Sequence, residues 1–289
     1  MLIPVYNRDV TVLVSDLLEQ AADWGGPVEI LCFDDGSAAE FRELNQLLTA
    51  WPLVRYHELP HNVGRAAIRN RLATAAQYEW LLLLDNDSLL PDDQFLTRYA
   101  AARALAPVLV GGTIYEFQPP ADPALYLRWH YGRAREARLA AVRQPEPHAQ
   151  LTLNNLLIEA KLFRRFGLDE SLTRYGHEDT KFGWRLRAAG IKVRHLDNPV
   201  LHDGLEPAAD FLRKTHEAVR NLALLYRAEG LGTDTRLLRT ARRLRGLGWL
   251  ARPVLAALEP GFRRNLLSGQ PSLRQLDLLK LSWLLRELA

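Results

Sequence analysis

The stretch "WLLLLDNDSLLP", residues 80–91, constrains the fold more than any other. Four consecutive leucines leave no polar face, and the run is strand-length rather than helix-length. It reads as a strand buried on both sides, the mark of a parallel sheet covered by helices. The strand ends in two carboxylates, Asp85 and Asp87, with Asn86 between them. Charges at the mouth of an apolar strand are costly unless they meet cations, so positive charge is expected there.

The preceding segments set up the same alternation. "LIPVYN" is a strand, a helical pattern runs through "VTVLVSDLLEQAADW" to Gly25 and Gly26, and "PVEILCFDDGS" is a second strand ending in Asp34 and Asp35. A helix over "AAEFRELNQLLTAW", a short strand "VRYHEL" and the turn and helix of "NVGRAAIRNRLATAA" lead to the leucine run. Strands alternating with helices of this length imply βαβ units and a parallel sheet. The C-terminal strand ends of such a sheet share one edge, where ligands bind. Both acid pairs should therefore border one crevice. Further along, residues 92–105 read as a helix, "PVLVGGTIYEF" and "QLTLNNLLIEA" as strands, and 119–150 as a helix between loops. "GHEDTKFGWRLRAAG" reads as a helix with Phe182 and Trp184 in the core and Gly190 as its stop. "IKVRHLDNPVLHDG" supplies one or two short strands, and the pattern is helical from residue 207 onward.

At 289 residues the chain can form one large domain, or one domain with an appendage. Its 48% hydrophobic and 25% charged residues are ordinary for a globular protein. Cys32 is the single cysteine, which excludes an internal disulfide and makes a reducing compartment the expectation. No run approaches the ~18 apolar residues of a membrane span, and no leader-like segment opens the chain. A cytoplasmic location follows, with the inner face of the membrane as its variant. The net charge of +3 is unevenly placed, because Lys and Arg far outnumber Asp and Glu between Arg236 and Arg286. That asymmetry suggests an anionic partner surface.

Several residues could carry chemistry, each with a plainer alternative. On a strand, Asp85 and Asp87 would point the same way and suit a hard divalent cation that keeps positions open for phosphates. Alternatively, Asp87 or Ser88 caps a helix over "LPDDQF". Asp34 and Asp35 could accept from a base imide and a ribose, while Ser37, three residues before Glu40, fits a capping box. Glu178 and Asp179 open a helix, where the dipole favours acids, and they follow the loop-like "RYG". A carboxylate there can act as general base toward a hydroxyl. His202 sits at a strand end as a ligand or, more commonly for a lone histidine, as a structural residue. Arg65, Arg69 and Arg71 could reach a diphosphate or simply be solvated. Asn154 and Asn155 could bond a sugar or satisfy a turn.

Taken in order, "IPVYNR", "FDDGS", "NVGRAAIRN", "LLLLDND", "GHEDTKFGWRLRAAG" and "VLHDG" resemble the motifs of a family 2 glycosyltransferase, over residues 1–205. The resemblance implies the GT-A fold, a Rossmann-like, mostly parallel sheet flanked by helices, here with a C-terminal helical extension. It implies a catalytic domain over 1–206, with a nucleotide-binding half to residue 110 and an acceptor-side half over 111–206, followed by a basic extension over 207–289. The donor would be a nucleotide-diphosphate sugar, a UDP-sugar being expected, at the C-terminal edge of the sheet. By motif matching, Pro4, Tyr6 and Arg8 line its pocket, Asp34 and Asp35 meet the base, and Arg65, Arg69 and Asn86 join the donor contacts. Asp87 becomes the direct ligand of Mn2+ or Mg2+, Asp85 contacts ribose or metal, and His202 completes the metal site. Asp179 becomes the catalytic base and Glu178 its support, with inversion at the anomeric carbon. A hexosyltransferase-type activity (EC 2.4) on a carbohydrate or lipid-linked acceptor, in cell-surface polysaccharide assembly, is typical of the family.

The chain departs from the pattern twice. Met1 almost begins the first strand, where family members usually carry several residues before it, and the segment before "NNLLI" lacks glycines often found there. A haloacid dehalogenase-type phosphohydrolase using Asp85 and Asp87 is the main alternative, but its motif belongs on a first strand, with Thr or Val where Leu89 stands. A sugar-nucleotide pyrophosphorylase needs a Gly-rich loop that "VYNRDVTVLV" does not provide. A non-catalytic nucleotide-sugar binder is disfavoured by the joint presence of Asp87, Asp179 and His202. No nucleic acid partner is indicated. The basic segment "RLLRTARRLRGLGWLARPVLAALEP" either lies on an anionic membrane or packs its apolar stripe on the catalytic domain or a second subunit, and packing is preferred.

Overall fold

The computed structural model describes residues 1–172, 176–233, 235–244, 246 and 248–289. Arg174 and Tyr175, expected to approach a site, lie outside them, as do Arg245 and Leu247 of the basic segment. The first part of the chain runs β1 (Leu2–Val5), α1 (Thr11–Glu19), β2 (Ile30–Asp34), α2 (Ala39–Asn45), β3 (Val54–Glu58), α3 (Arg65–Ala75), β4 (Trp80–Leu84), β5 (Ser88–Leu89), α4 (Phe95–Ala102), β6 (Val108–Val110) and β7 (Thr113–Ile114). Then come α5 (Tyr126–Tyr131), α6 (Ala140–Arg143), β8 (Asn155–Glu159), α7 (Ala160–Phe166), α8 (Glu178–Ala188), β9 (Val193–His195), β10 (Val200–His202), α9 (Ala208–Glu229), α10 (Arg236–Arg243), α11 (Gly248–Leu266) and α12 (Leu273–Glu287).

The leucine run is β4, at the centre of a seven-stranded sheet of order β3-β2-β1-β4-β8-β6-β9. Because strand side chains alternate, Leu81 and Leu83 enter one core with Ile68 and Leu72 of α3, Phe163 of α7 and Phe182 of α8. Leu82 and Leu84 enter the other, with Leu13 and Leu17 of α1 and Phe95 and Tyr99 of α4. Double-sided burial is thus met by a helical layer on each face. The strands run parallel apart from β8, which pairs antiparallel with both β4 and β6.

Pro4 opens this sheet at one place. Odd-numbered residues of β1 face β2, where Leu31 N–H donates to Met1 O and Asp35 N–H to Val5 O. Pro4 therefore faces β4 and has no N–H to give. The β1–β4 register is confined to Leu2 opposite Leu83, so the C-terminal ends of these two strands do not pair with each other. The expected strand over "PVLVGGTIYEF" also breaks, at Gly111 and Gly112, into β6 and β7 of separate sheets. The smaller sheet, of order β5-β10-β7, receives β7. The buried Arg143 guanidinium fills the corner, donating to the carbonyls of Gly111 and Leu196.

The chain forms two compact units. The first comprises Met1–Glu116, Glu136–Ser171 and Glu178–Gly204 and holds both sheets. The second comprises Phe117–Arg135, Leu172–His177 and Leu205–Ala289. Its helices α5 and α9–α12 pack around their own core, with Leu127, Phe211, Leu222, Leu276 and Trp283 buried together. Within it, Glu259 accepts hydrogen bonds from Trp283 Nε1 at 3.0 Å and Arg286 Nη2 at 2.7 Å.

One turn tests the architecture directly. Gly36 has φ +77°, and a Cβ there would lie 2.7 Å from the backbone of His61 and Asn62. Gly36→Ala should destabilise the first unit by about 1–3 kcal/mol, read as a lower urea midpoint.

Candidate active site

The C-terminal edge of the sheet gathers the acids, although not as a strand end would. β4 stops at Leu84, and Ser88 N–H donates to Asp85 O at 3.2 Å, so Asp85, Asn86 and Asp87 form a turn leading into β5. The expectation that the D-x-D carboxylates share a face is thereby corrected. In the turn the two carboxylates take separate partners from different elements. Asp85 meets Arg69 of α3, and Asp87 meets His202 of β10. The capping alternative also fails. Helix α4 begins only at Phe95, after Gln94, and Asp92 Oδ1 accepts from Gln94 N–H.

Pairing of β5 with β10 brings His202 to this place. His202 lies opposite Ser88 in antiparallel register, and Asp203 N–H donates to Asp87 O at 2.8 Å. His202 Nδ1 is 3.5 Å from Asp87 Oδ1, and the imidazole ring packs edge-on to Tyr115. Gly204 closes over the acid, where a Cβ would lie 2.4 Å from Asp87 Oδ2. Burial works against the Asp87 charge, but the hydrogen bond and charge of His202, with Arg65 and Arg8, hold it below the usual carboxylate range. Arg8 donates to Asp203 O at 2.8 Å and pairs with the Asp203 carboxylate. Asn86 Nδ2 donates to Tyr6 O at 3.1 Å, which ties the turn to the end of β1. Tyr6 itself is exposed.

Helix α3 supplies the cations. The buried Arg69 side chain pairs with Asp85 and donates from Nη1 to Arg65 O. Its Nε is buried without a hydrogen-bond partner. Arg65 Nη1 lies 3.9 Å from Glu178 Oε1, at the first turn of α8. The next residue, Asp179, accepts from the Thr180 N–H and hydroxyl. Burial, and then the Glu178 carboxylate, raise Asp179 to about 7 against the opposing pull of these bonds and of Arg69. A carboxylate titrating there can both take up and release a proton near neutrality.

The other acid pair is occupied by turn building. Asp34 accepts from Ser37 N–H at 2.7 Å and from the Tyr56 hydroxyl at 3.3 Å. Asp35 accepts from Val63 N–H at 2.7 Å and Gly64 N–H at 3.2 Å, and burial still raises its pKa. The capping box expected from Ser37 is absent. The Ser37 hydroxyl instead accepts from Asn7 N–H, and Asn7 Oδ1 accepts from Ala38 N–H just ahead of α2. Asn155 is consumed internally, accepting from Tyr99 and donating to the carbonyls of Gly112 and Asn198. Asn154 Nδ2 donates to Thr113, while its Oδ1 is buried without a partner.

Sequence reasoning missed Asp203 and Gly204. Their signal was available, since "HDG" continues directly from His202. Among the described residues no group of three or more His, Cys, Asp or Glu side chains could hold a metal ion. What is present is a pair, one carboxylate and one imidazole, under a glycine that leaves room. That donor set fits a divalent ion completed by phosphate oxygens from a substrate, as such ions commonly bind.

A mostly parallel sheet with acids and arginines at its C-terminal edge is the arrangement of GT-A glycosyltransferases. The structure resembles residues 1–349 of TarS from S. aureus (TM-score 0.50, 15% identity, covering 97% of this chain and 88% of that one). It also resembles the same TarS fragment in complex with UDP (0.51, 15%, 97% and 88%). The mannosyltransferase PcManGT from Pyrobaculum calidifontis, in complex with GDP-Man and Mn2+, is similar as well (0.57, 16%, 89% and 73%). At these identities the likeness concerns the fold. No curated protein matches the chain. Residues 1–157 match glycosyl transferase family 2, and the chain belongs to that family.

The Arg69–Asp85 pair has a stability consequence. With Asp85→Asn the buried guanidinium loses its counter-charge, and the fold should lose on the order of 3 kcal/mol. Chemical denaturation of the variant checks this.

Proposed function

We propose that the chain is a metal-dependent, inverting hexosyltransferase (EC 2.4). It would move a sugar from a nucleotide-diphosphate donor to a hydroxyl of a carbohydrate or lipid-linked acceptor in cell-surface polysaccharide assembly. The observation that carries the reading is the meeting of Asp87, in the turn after β4, with His202 of β10, beside Arg65, which also faces Glu178, the neighbour of Asp179. UDP is bound by the TarS fragment and GDP-Man with Mn2+ by PcManGT, which supports a nucleotide-sugar donor and a divalent ion, Mn2+ or Mg2+, here.

In this reading the nucleotide lies along the C-terminal ends of β1 and β2, against Pro4, Tyr6 and Arg8. Asp34 and Asp35 border the base, where Asp35 also holds the turn into α3. Asp87 and His202 hold the ion, whose chemistry is to offset negative charge on the departing diphosphate. Asp85, fixed by Arg69, reaches the ribose or the ion, and Asn86 orients the turn. Asp179 accepts the proton of the acceptor hydroxyl. The hydroxyl oxygen bonds to the anomeric carbon from the face opposite the diphosphate, and the breaking bond leaves its electron pair on the nucleoside diphosphate. Glu178, paired with Arg65, keeps Asp179 less acidic and so a better base. A phosphohydrolase reading is disfavoured, because Asp85 is committed to Arg69 rather than free to attack phosphorus.

Donor and ion are tested together by thermal shift with UDP, GDP, CDP and dTDP, with and without Mn2+. One nucleotide should raise the melting temperature, and more so with Mn2+, as a ligand bound only by the folded state must. Asp87→Asn and Gly204→Ala should remove the Mn2+ increment, read against each variant's own unliganded melting temperature. That temperature should itself fall, because one loses the charge that His202, Arg65 and Arg8 favour and the other crowds the Asp87 carboxylate. Absence of any metal-dependent increment would argue against this site.

The pH dependence follows from Asp179. A base must be deprotonated, so kcat/KM should rise with pH and level off above about 7, and Asp179→Asn should abolish the rise with the activity. Stability runs the other way. Asp179 titrates near 3.8 when unfolded and about 7 when folded, so the folded chain holds the extra proton in between. Stability therefore falls as pH climbs through that window, and Asp179→Asn should be the more thermostable form at pH above 7.

A further inference from the structure

Helix α11 turns a narrow face inward, through Ala251, Leu255, Phe262 and Leu266. Its remaining surface is open to solvent and apolar. Trp249 is 73% exposed, Leu250 52%, Val254 51% and Leu258 49%. Between Trp249 and Phe262 the charged side chains are Arg252 and Glu259 alone. Glu259 is engaged by Trp283, Arg286 and Arg263, so that Arg242, Arg243, Arg252 and Arg264 are the arginines the face offers outward. Arginines border the stretch, with Arg242 and Arg243 ending α10 on one side and Arg263 and Arg264 following on the other. Neither helix contributes an exposed carboxylate among the described residues. An apolar helical face rimmed only by cations is unusual for a surface that meets water alone.

Two prolines bear on the depth at which such a face can sit. Pro253 and Pro260 lie inside α11 and lack an N–H, so the carbonyls of Trp249 and Ala256 have no helical donor four residues on. All four residues are exposed. Carbonyls freed in this way need water or polar headgroups and would be costly in hydrocarbon. Among the described residues no helix is long and apolar enough to cross a membrane.

We propose that the outer face of α11 docks on the surface of an anionic phospholipid bilayer. The helix lies in the plane of the interface, with Trp249 at headgroup level, Leu250, Val254 and Leu258 entering the acyl boundary, and the arginines on lipid phosphates. Charge decides between occupants. A second copy joined two-fold through this face would bring the arginine rim against itself, with no exposed carboxylate of α10 or α11 to answer it. A nucleic acid would satisfy the arginines and leave the aliphatic stripe without a partner.

The test is co-sedimentation of the full chain with vesicles of phosphatidylcholine alone or mixed with phosphatidylglycerol, over a range of salt. Binding should be at least tenfold tighter to the anionic vesicles and should weaken as salt rises, since each arginine near such a surface is worth roughly fivefold. The triple variant Trp249→Ala, Leu250→Ser, Leu258→Ser should lose binding, and Arg252→Gln with Arg264→Gln should weaken it roughly 25-fold. Every substituted side chain is exposed, so the melting temperature should not move. The proposal is overturned if pelleting is the same with and without vesicles, if neutral vesicles bind equally at all salt concentrations, or if the triple variant binds like the parent. It is equally overturned if light scattering shows a dimer that the triple variant dissolves, which would give the face to a second copy.

Discussion

A charge that cannot leave the end of β4 organises this molecule. Once Leu81 to Leu84 are buried in two cores, the chain must emerge from the sheet at Asp85, beside a guanidinium that is itself buried. Neither ion is tolerable without the other. The pair anchors the start of the turn, and the turn in turn delivers Asp87 to β10. What looks like a binding motif is first a solution to an electrostatic problem created by packing.

The double-sided core was legible because its signals are local. A leucine run without a polar face, and helices spaced to bridge parallel strands, leave few arrangements. What stayed hidden depends on partners distant in sequence. Nothing in "QLTLNNLLIEA" says that β8 runs against its neighbours, because an antiparallel strand buried on both faces carries the same apolar pattern as a parallel one. The short helix "KLFRRF" follows that strand immediately, with no loop to announce it. The break at Gly111 is set by the approach of Asn155, Asn198 and Tyr99, none of them adjacent in sequence. The second unit gathers Phe117–Arg135 and Leu172–His177 from inside the stretch that reads as one domain.

At the candidate site, the residue types were easier to read than their partners. Asp87 and His202 are adjacent in space, and the acids at the start of α8 lie near the arginines of α3. The geometry argued for D-x-D was wrong, since it assumed that the strand continues past Leu84. Periodicity cannot distinguish the last residues of a strand from a turn when both are polar. Ser37 likewise satisfied a capping pattern that Asn7, from a different segment, fulfils instead. Asn45 shows the same limit, for it reads as an ordinary helical residue yet holds Val10 N–H and the Arg8 carbonyl.

Helix α3 ties these pieces together mechanically. Its N-terminal cap, Gly64, and the preceding Val63 hang on the Asp35 carboxylate, its first residue faces Glu178, and Arg69 one turn later grips Asp85. One rigid rod therefore spans three motifs that are far apart along the chain. The turn held by Asp35, the first turn of α8 and the acid at the end of β4 therefore share one support, and the placement of α3 sets all three contacts at once.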